Sequence, residues 1–265
     1  MVADVAGWYG EVGGTTGARY TGVVPSRILD TRYGVGAPFA LSPAGAIDLQ
    51  VTGRGGVPDN ASAVVLNVAV TEPTATSFLT AWPTGRARPL ASNLNYVTGQ
   101  TVPNLVVVKV GDNGRISLYN NAGSAHVVAD VAGWFGVDGV AGASVYTSVV
   151  PARILDTRSG VGAPAVPVGP ASTLQVQVTG RGGVPATGVA AVVLNVTATQ
   201  PTATSFLTAW PTGLPLPLAA NLNYVPNLTV PNLVVVKVGA GGRINLYNNS
   251  GSTHLVADVA GWYSA

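Results

Sequence analysis

Runs of aliphatic and β-branched residues, each about the length of one strand, alternate along the whole chain with clusters of Gly, Pro, Asn and Thr. Residues 63–70 (AVVLNVAV) and 105–110 (LVVVKV) are rich in side chains that fit a pleated, half-buried surface. Turn residues recur about every ten positions, the spacing of a sandwich or barrel. No stretch holds a helical period over a window of about 11 residues. The pattern predicts an all-β chain.

The strand pattern occurs twice. Residues 24–32 (VPSRILDTR) return as 150–158 (VPARILDTR), residues 74–85 (TATSFLTAWPTG) return unchanged at 202–213, and residues 101–111 (TVPNLVVVKVG) return unchanged at 229–239. The offset drifts from 126 to 128, which places the length changes in loops near residues 41–47 and 58–62. Two modules are expected, at residues 11–136 and 137–265, with residues 1–10 matching the end of a preceding repeat.

A finer repeat lies inside each module. VVLNV leads to FLTAWPTG, LVVVKV leads to INLYNNSG, and VADVAGWF leads through a longer loop to RILDTRSG. Three such units predict two tandem pseudo-threefold β domains, β-trefoil- or β-prism-like, with an immunoglobulin-like β-sandwich as the alternative. The first pairing looks like one β-trefoil unit, although the Gln-x-Trp signature of lectin trefoils is missing.

Composition narrows the function classes. Charged residues are only 9% of the chain, against about 25% in an ordinary globular protein, and hydrophobic residues are 47%, so a packed core and not disorder is expected. A net charge of +2, from 13 cations and 11 anions without a Lys/Arg run, lacks the footprint of a nucleic-acid binder. With no Cys there are no disulfides and no thiol chemistry. No apolar run reaches the roughly 20 residues of a membrane span. The sequence opens without a basic and then apolar leader, so a secretion signal is expected outside this chain.

The motifs RILDTR, VTGRGGVP, VVLNV, SNLNY (ANLNY in the second copy) and VADVAGWY or VADVAGWF, in one order and twice over, resemble a tandem repeat module of large secreted actinobacterial proteins. The resemblance implies an accessory role at or outside the cell surface and brings no active residues or cofactor with it.

The candidate chemistry is sparse. His126 and His254 each precede an Asp by four residues, which on a strand is about 13 Å, beyond hydrogen-bond reach. No triad, zinc set or carboxylate pair can be assembled, so no enzyme and no cofactor is expected. Charges common to both modules predict a structural network of Arg27, Asp30, Arg32, Arg54 and Asp130, with Arg153, Asp156, Arg158, Arg181 and Asp258 as its copy. The competing reading is an anion site on Arg27, Arg32 and Arg54. The loops at residues 53–58 and 180–185 are glycine turns without a phosphate-loop Lys. Trp82, Asn93, Asn95 and Tyr96, with Trp210, Asn221, Asn223 and Tyr224, form a candidate neutral-sugar set, because amides and an aromatic face suit sugar hydroxyls and ring faces. The competing reading is an Asn ladder beside core aromatics. Tyr119-Asn120-Asn121 and its copy read as turns.

The motif VADVAGW-aromatic alone occurs three times, starting at Val2, Val128 and Val256. One copy is surplus if each module uses one. The strand holding Val2, Asp4, Val5 and Trp8, identical to that of Val256, Asp258, Val259 and Trp262, is therefore a candidate for head-to-tail assembly by strand pairing. Two functions are expected from the sequence. One is a non-catalytic extracellular structural module with copies of itself or neighbouring repeats as partners; the other is a carbohydrate- or cell-wall-binding module with surface polysaccharide as partner.

Overall fold

The computed structural model describes residues 18–136 and 144–265. The first module contains β1 (Arg19–Asp30), β2 (Gly45–Gln50), β3 (Ala61–Thr71), β4 (Ser77–Pro83), β5 (Leu94–Tyr96), β6 (Val102–Lys109), β7 (Arg115–Asn120) and β8 (His126–Gly136). The second repeats the series as β9 (Tyr146–Asp156), β10 (Ser172–Gln177), β11 (Val189–Thr199), β12 (Ser205–Pro211), β13 (Leu222–Tyr224), β14 (Val230–Lys237), β15 (Arg243–Asn248) and β16 (His254–Ser264). Two compact units result, one built on β2 to β8 and the other on β9 to β16. The all-β expectation holds.

Each module is a pair of four-stranded antiparallel sheets. The first module has the orders β1-β8-β3-β6 and β2-β7-β4-β5, and the second has β9-β16-β11-β14 and β10-β15-β12-β13. Strand 1 lies beside 8, 2 beside 7, 3 beside 6 and 4 beside 5. The chain thus folds as one long hairpin that is rolled until 8 meets 3 and 7 meets 4. That is the connectivity of an eight-stranded jelly roll.

This replaces the pseudo-threefold expectation. The pairs that suggested three units, β11 with β12 and β14 with β15, each step from one sheet of the sandwich to the other. The third pair joins the last strand of one module to the first strand of the next. Repetition along the chain therefore records alternation between sheets, not rotation about an axis. The sandwich alternative had the correct number of layers, but the strand order differs from the immunoglobulin one.

The core lies between the two sheets. In the second module Leu155, Val176, Leu194, Leu207, Leu222, Val236, Ile244 and Ala257 form one buried cluster, with one residue from each of the eight strands. The inner strands β3 and β8 are buried over almost their whole length, which explains why they read as continuous apolar runs and not as alternations. The edge strands β1 and β6 carry Pro25 and Pro103, and β9 and β14 carry Pro151 and Pro231. Proline cannot donate to a ladder, so it suits an edge and discourages pairing with another chain there.

Candidate functional site

The shared charges form a closed cluster. β1 ends in Asp30, and the bridge between Asp30 and Val35 folds the next turn back over it. Arg32 donates to the Asp30 carboxylate from Nε (2.9 Å) and Nη2 (2.8 Å). Arg27 donates to Asp130 on β8 from Nε (2.9 Å) and Nη2 (3.1 Å), and to Asp30 from Nη1 (3.2 Å). The second module repeats the arrangement with Arg153 on Asp258 (2.9 and 3.1 Å) and on Asp156 (3.3 Å), and Arg158 on Asp156 (2.9 and 2.7 Å).

Two cations and two anions balance, and each carboxylate is held by a guanidinium fork. An anion would have to displace these partners, so the geometry favours the network over the anion site. Burial by itself would raise the Asp30 carboxyl, but the hydrogen bonds and charge of Arg32, with Arg27 behind, hold it below 3.8. The hydrogen bonds of Arg158 hold Asp156 well below the usual carboxylate range. Arg54 and Arg181 stand apart from the carboxylates. Arg181 donates to the Ile154 carbonyl (3.3 Å), and Arg54 lies beside Gly36 in the matching place.

The sugar-type set is largely turned inward. Tyr96 and Tyr224 are buried with Leu94 and Leu222. Asn93 Oδ1 accepts from the Ala81 amide (2.7 Å), and Asn221 Oδ1 accepts from Ala209 (2.7 Å). The indole N–H groups of Trp82 and Trp210 donate to the carbonyls of Arg86 (3.0 Å) and Leu214 (2.9 Å), pinning the loop after each strand. Asn95 is exposed and bonds Ser92, while Asn223 is half-buried. The predicted constellation therefore does not converge on one open face. The Asn93 and Asn221 amides satisfy backbone groups that would otherwise be buried without partners.

The hub of this region is not among the expected site residues. Asn120 and Asn248, expected in turns, are both fully buried. The Asn248 amide donates to the carbonyls of Val168 (3.0 Å), Gly169 (2.9 Å) and Gly251 (2.8 Å). Its Oδ1 accepts from Tyr224 (2.6 Å) and Ser205 (3.2 Å). Asn120 is bonded in the same way to Leu41, Ser42, Gly123, Tyr96 and Ser77. The signal was the period of two: Ile116, Leu118 and Asn120 share the inward face of β7. Burial pushes the Tyr224 phenol up to about 12, opposed in part by its hydrogen bond with Ser205, and it raises Tyr96 as well.

The VADVAGW motif is accounted for residue by residue. Leu66 pairs with Val131 and Val65 with Gly133, so Ala132 is the extra residue of a bulge. Tyr20 donates to the freed Ala132 carbonyl (3.0 Å), and its ring lies over Gly133 against Phe135, with centroids 5.4 Å apart. Tyr146 does the same with Ala260, Gly261 and Tyr263. The Asp of the motif receives Arg27 or Arg153.

β16 is a central strand, paired with β11 on one side and β9 on the other. Val256 and Val259 are buried, and Trp262 packs against the core cluster. Val256, Asp258, Val259 and Trp262, expected as a candidate assembly strand, therefore offer no free ladder edge for pairing with another chain. Val2, Asp4, Val5 and Trp8 lie outside the described residues.

The histidines are separated from the aspartates. Thr31 Oγ1 accepts from the Val127 amide (3.0 Å) and shares a hydrogen bond with His126 Nδ1 (2.9 Å), as Thr157 does with Leu255 and His254 (both 3.0 Å). On the outer face of the sheet β2-β7-β4-β5, Phe78 lies against Tyr119 (6.4 Å), and the Arg88 guanidinium stacks on the Tyr119 ring at 3.6 Å. Among the described residues no group of three potential metal ligands occurs, and no helix is long and apolar enough to cross a membrane.

No protein-family model matches the chain, and no curated protein does. Among solved structures, a chain from the atomic structure of Sulfolobus Turreted Icosahedral Virus is similar over 88% of this chain, at 11% identity and a TM-score of 0.21. This chain spans 61% of that one. At so low a score the likeness bears on neither fold nor function.

Proposed function

We propose that the protein is a non-catalytic structural module of an extracellular or cell-surface protein, which associates with copies of itself or with neighbouring repeats. The observation that supports this reading is the use made of the polar residues common to both modules. The Arg27–Asp30–Arg32–Asp130 cluster, the Asn120 hub and the Asn93 amide all bind strands and loops of their own module. Near-identical side chains held in the same internal bonds in both modules fit selection for a rigid repeated unit. Light scattering and electron microscopy of the intact chain and of a version lacking residues 1–10 test it. Concentration-dependent oligomers or filaments are expected, and two monodisperse monomers would overturn the reading.

A second reading is carbohydrate or cell-wall binding. It is favoured by the Phe78–Tyr119 ring pair on a sheet face, with exposed Asn95 opposite Phe78 across the strands. Binding on a glycan array and in a cell-wall pull-down, lost in Tyr119→Ala, would support it; no binding in either would exclude it.

A further inference from the structure

The loop that follows β4 folds over the outer face of the sheet β2-β7-β4-β5. Thr80 donates to the Ala91 carbonyl (2.6 Å) and Trp82 to that of Arg86 (3.0 Å), so the loop is tied down at both ends. Arg88, between these ties, is carried onto the Tyr119 ring, 3.6 Å from its centre. The result is a row across three strands: Arg88 on Tyr119 of β7, Phe78 of β4 beside it, and Asn95 of β5 opposite Phe78. Arg88 and Asn95 are exposed, and both rings are half-buried.

The polar members of this row are not used up by the protein. Arg27 and Arg32 are filled by carboxylates, but Arg88 forms no ion pair among the described residues. Stacking engages the face of a guanidinium and leaves its in-plane N–H groups for a carboxylate. Asn95 gives one N–H to Ser92 Oγ (3.2 Å), and its Oδ1 accepts no hydrogen bond among the described residues. Asp48 on the same face already accepts from Ser117 (2.6 Å). The second module has the same rings without the cation. Phe206 and Tyr247 repeat the 6.4 Å spacing and Asn223 stands opposite Phe206, but Leu216 replaces Arg88.

Resting on the carbohydrate-binding reading above, we infer that the row in the first module is a binding site for an acidic polysaccharide containing a uronic acid. The Arg88 fork takes the carboxylate, the Phe78 ring packs on the apolar face of a sugar ring, and Asn95 accepts from a hydroxyl. A uronate unit carries all three features, so it is the ligand class that uses the whole row. The corresponding row in the second module has no cation and selects no carboxylate.

Affinity electrophoresis on polygalacturonate, alginate and hyaluronate, each beside its methyl-esterified form, tests the site in wild type, Arg88→Leu and Leu216→Arg. Wild type is expected to bind at least one acid form more tightly than its ester. Arg88→Leu should bind that acid form about tenfold or more weakly, the loss expected for a charge-assisted pair, with ester binding and circular dichroism unchanged. Leu216→Arg should strengthen binding to the acid form by giving the second module a fork of its own. Arg88→Leu equal to wild type on the acid form, binding to esters alone, or binding to dextran sulfate as tight as to the uronate would each overturn the uronate site and leave carbohydrate binding standing. No binding to any acid or ester form, with none on a glycan array, would overturn carbohydrate binding itself.

Discussion

Tyr224 donates its hydroxyl to Asn248 Oδ1 at 2.6 Å, and the Asn248 amide in turn donates to three carbonyls on two separate loops. One buried side chain thereby ties β13, β15 and the loop after β15 to the segment before β10. Asn248→Ala strands several of these groups, and leaving a buried polar group unpaired costs about 1–3 kcal/mol each. Urea unfolding should place Asn248→Ala at least about 2 kcal/mol below wild type and Tyr224→Phe closer to it. Equal stability of Asn248→Ala and wild type would show that water replaces the hub.

The same tyrosine gives an alkaline prediction. Its folded-state value of about 12 lies above the ordinary 10.0, so the folded form keeps the proton longer than the unfolded one. That contribution is complete below pH 10 and is lost as pH rises towards 12. Tyrosinate absorbance should show at least one phenol titrating late, and Tyr224→Phe should flatten the alkaline fall in stability.

In acid the carboxylates act in the opposite direction. Asp30 and Asp156 are held below 3.8 when folded, so their contribution is present above that value and is lost as pH falls through the folded range. Stability measured from pH 6 downward should decline in the acid limb, and Asp30→Asn should make the limb shallower while lowering stability at neutral pH. Asp30→Ala leaves Arg32 and part of Arg27 without a partner, and breaking a buried pair in this way costs about 3–5 kcal/mol. A neutral-pH stability unchanged within error in Asp30→Ala would refute the cluster as a structural tie.

Gly261 lies under the Tyr146 ring, where a methyl group would collide with it. Gly261→Ala should therefore destabilise the second module by about 1–3 kcal/mol through overpacking, and Gly133→Ala should do the same to the first under Tyr20. Thermal unfolding of each variant is the measurement. Gly180→Ala provides the contrast: its open surroundings hold no such neighbour, so any loss there comes from its positive φ alone.

Much of this was legible in the chain. Strand content, the duplication, the pairing of Arg27, Asp30, Arg32 and Asp130, and the separation of His126 from Asp130 all followed from spacing and residue type. The Asn120 hub was legible in principle, from its inward phase with Ile116 and Leu118. The sugar-type set misled because Asn and Trp serve backbone satisfaction as well as ligands, and only burial separates the two uses.

What the sequence by itself determined is local: which segments extend, where they turn, and that the unit occurs twice. These depend on side-chain shape and on periods of two, both of which are written along the chain. Tertiary structure alone decided which strands lie side by side, because an eight-stranded jelly roll joins strand 1 to 8 and 3 to 6 across distances that no local pattern encodes. It also decided that the VADVAGW strand, which occurs three times in the sequence and is apolar apart from its Asp, is an inner strand in both described modules. An apolar run has the same composition whether its neighbours lie on one side or on both.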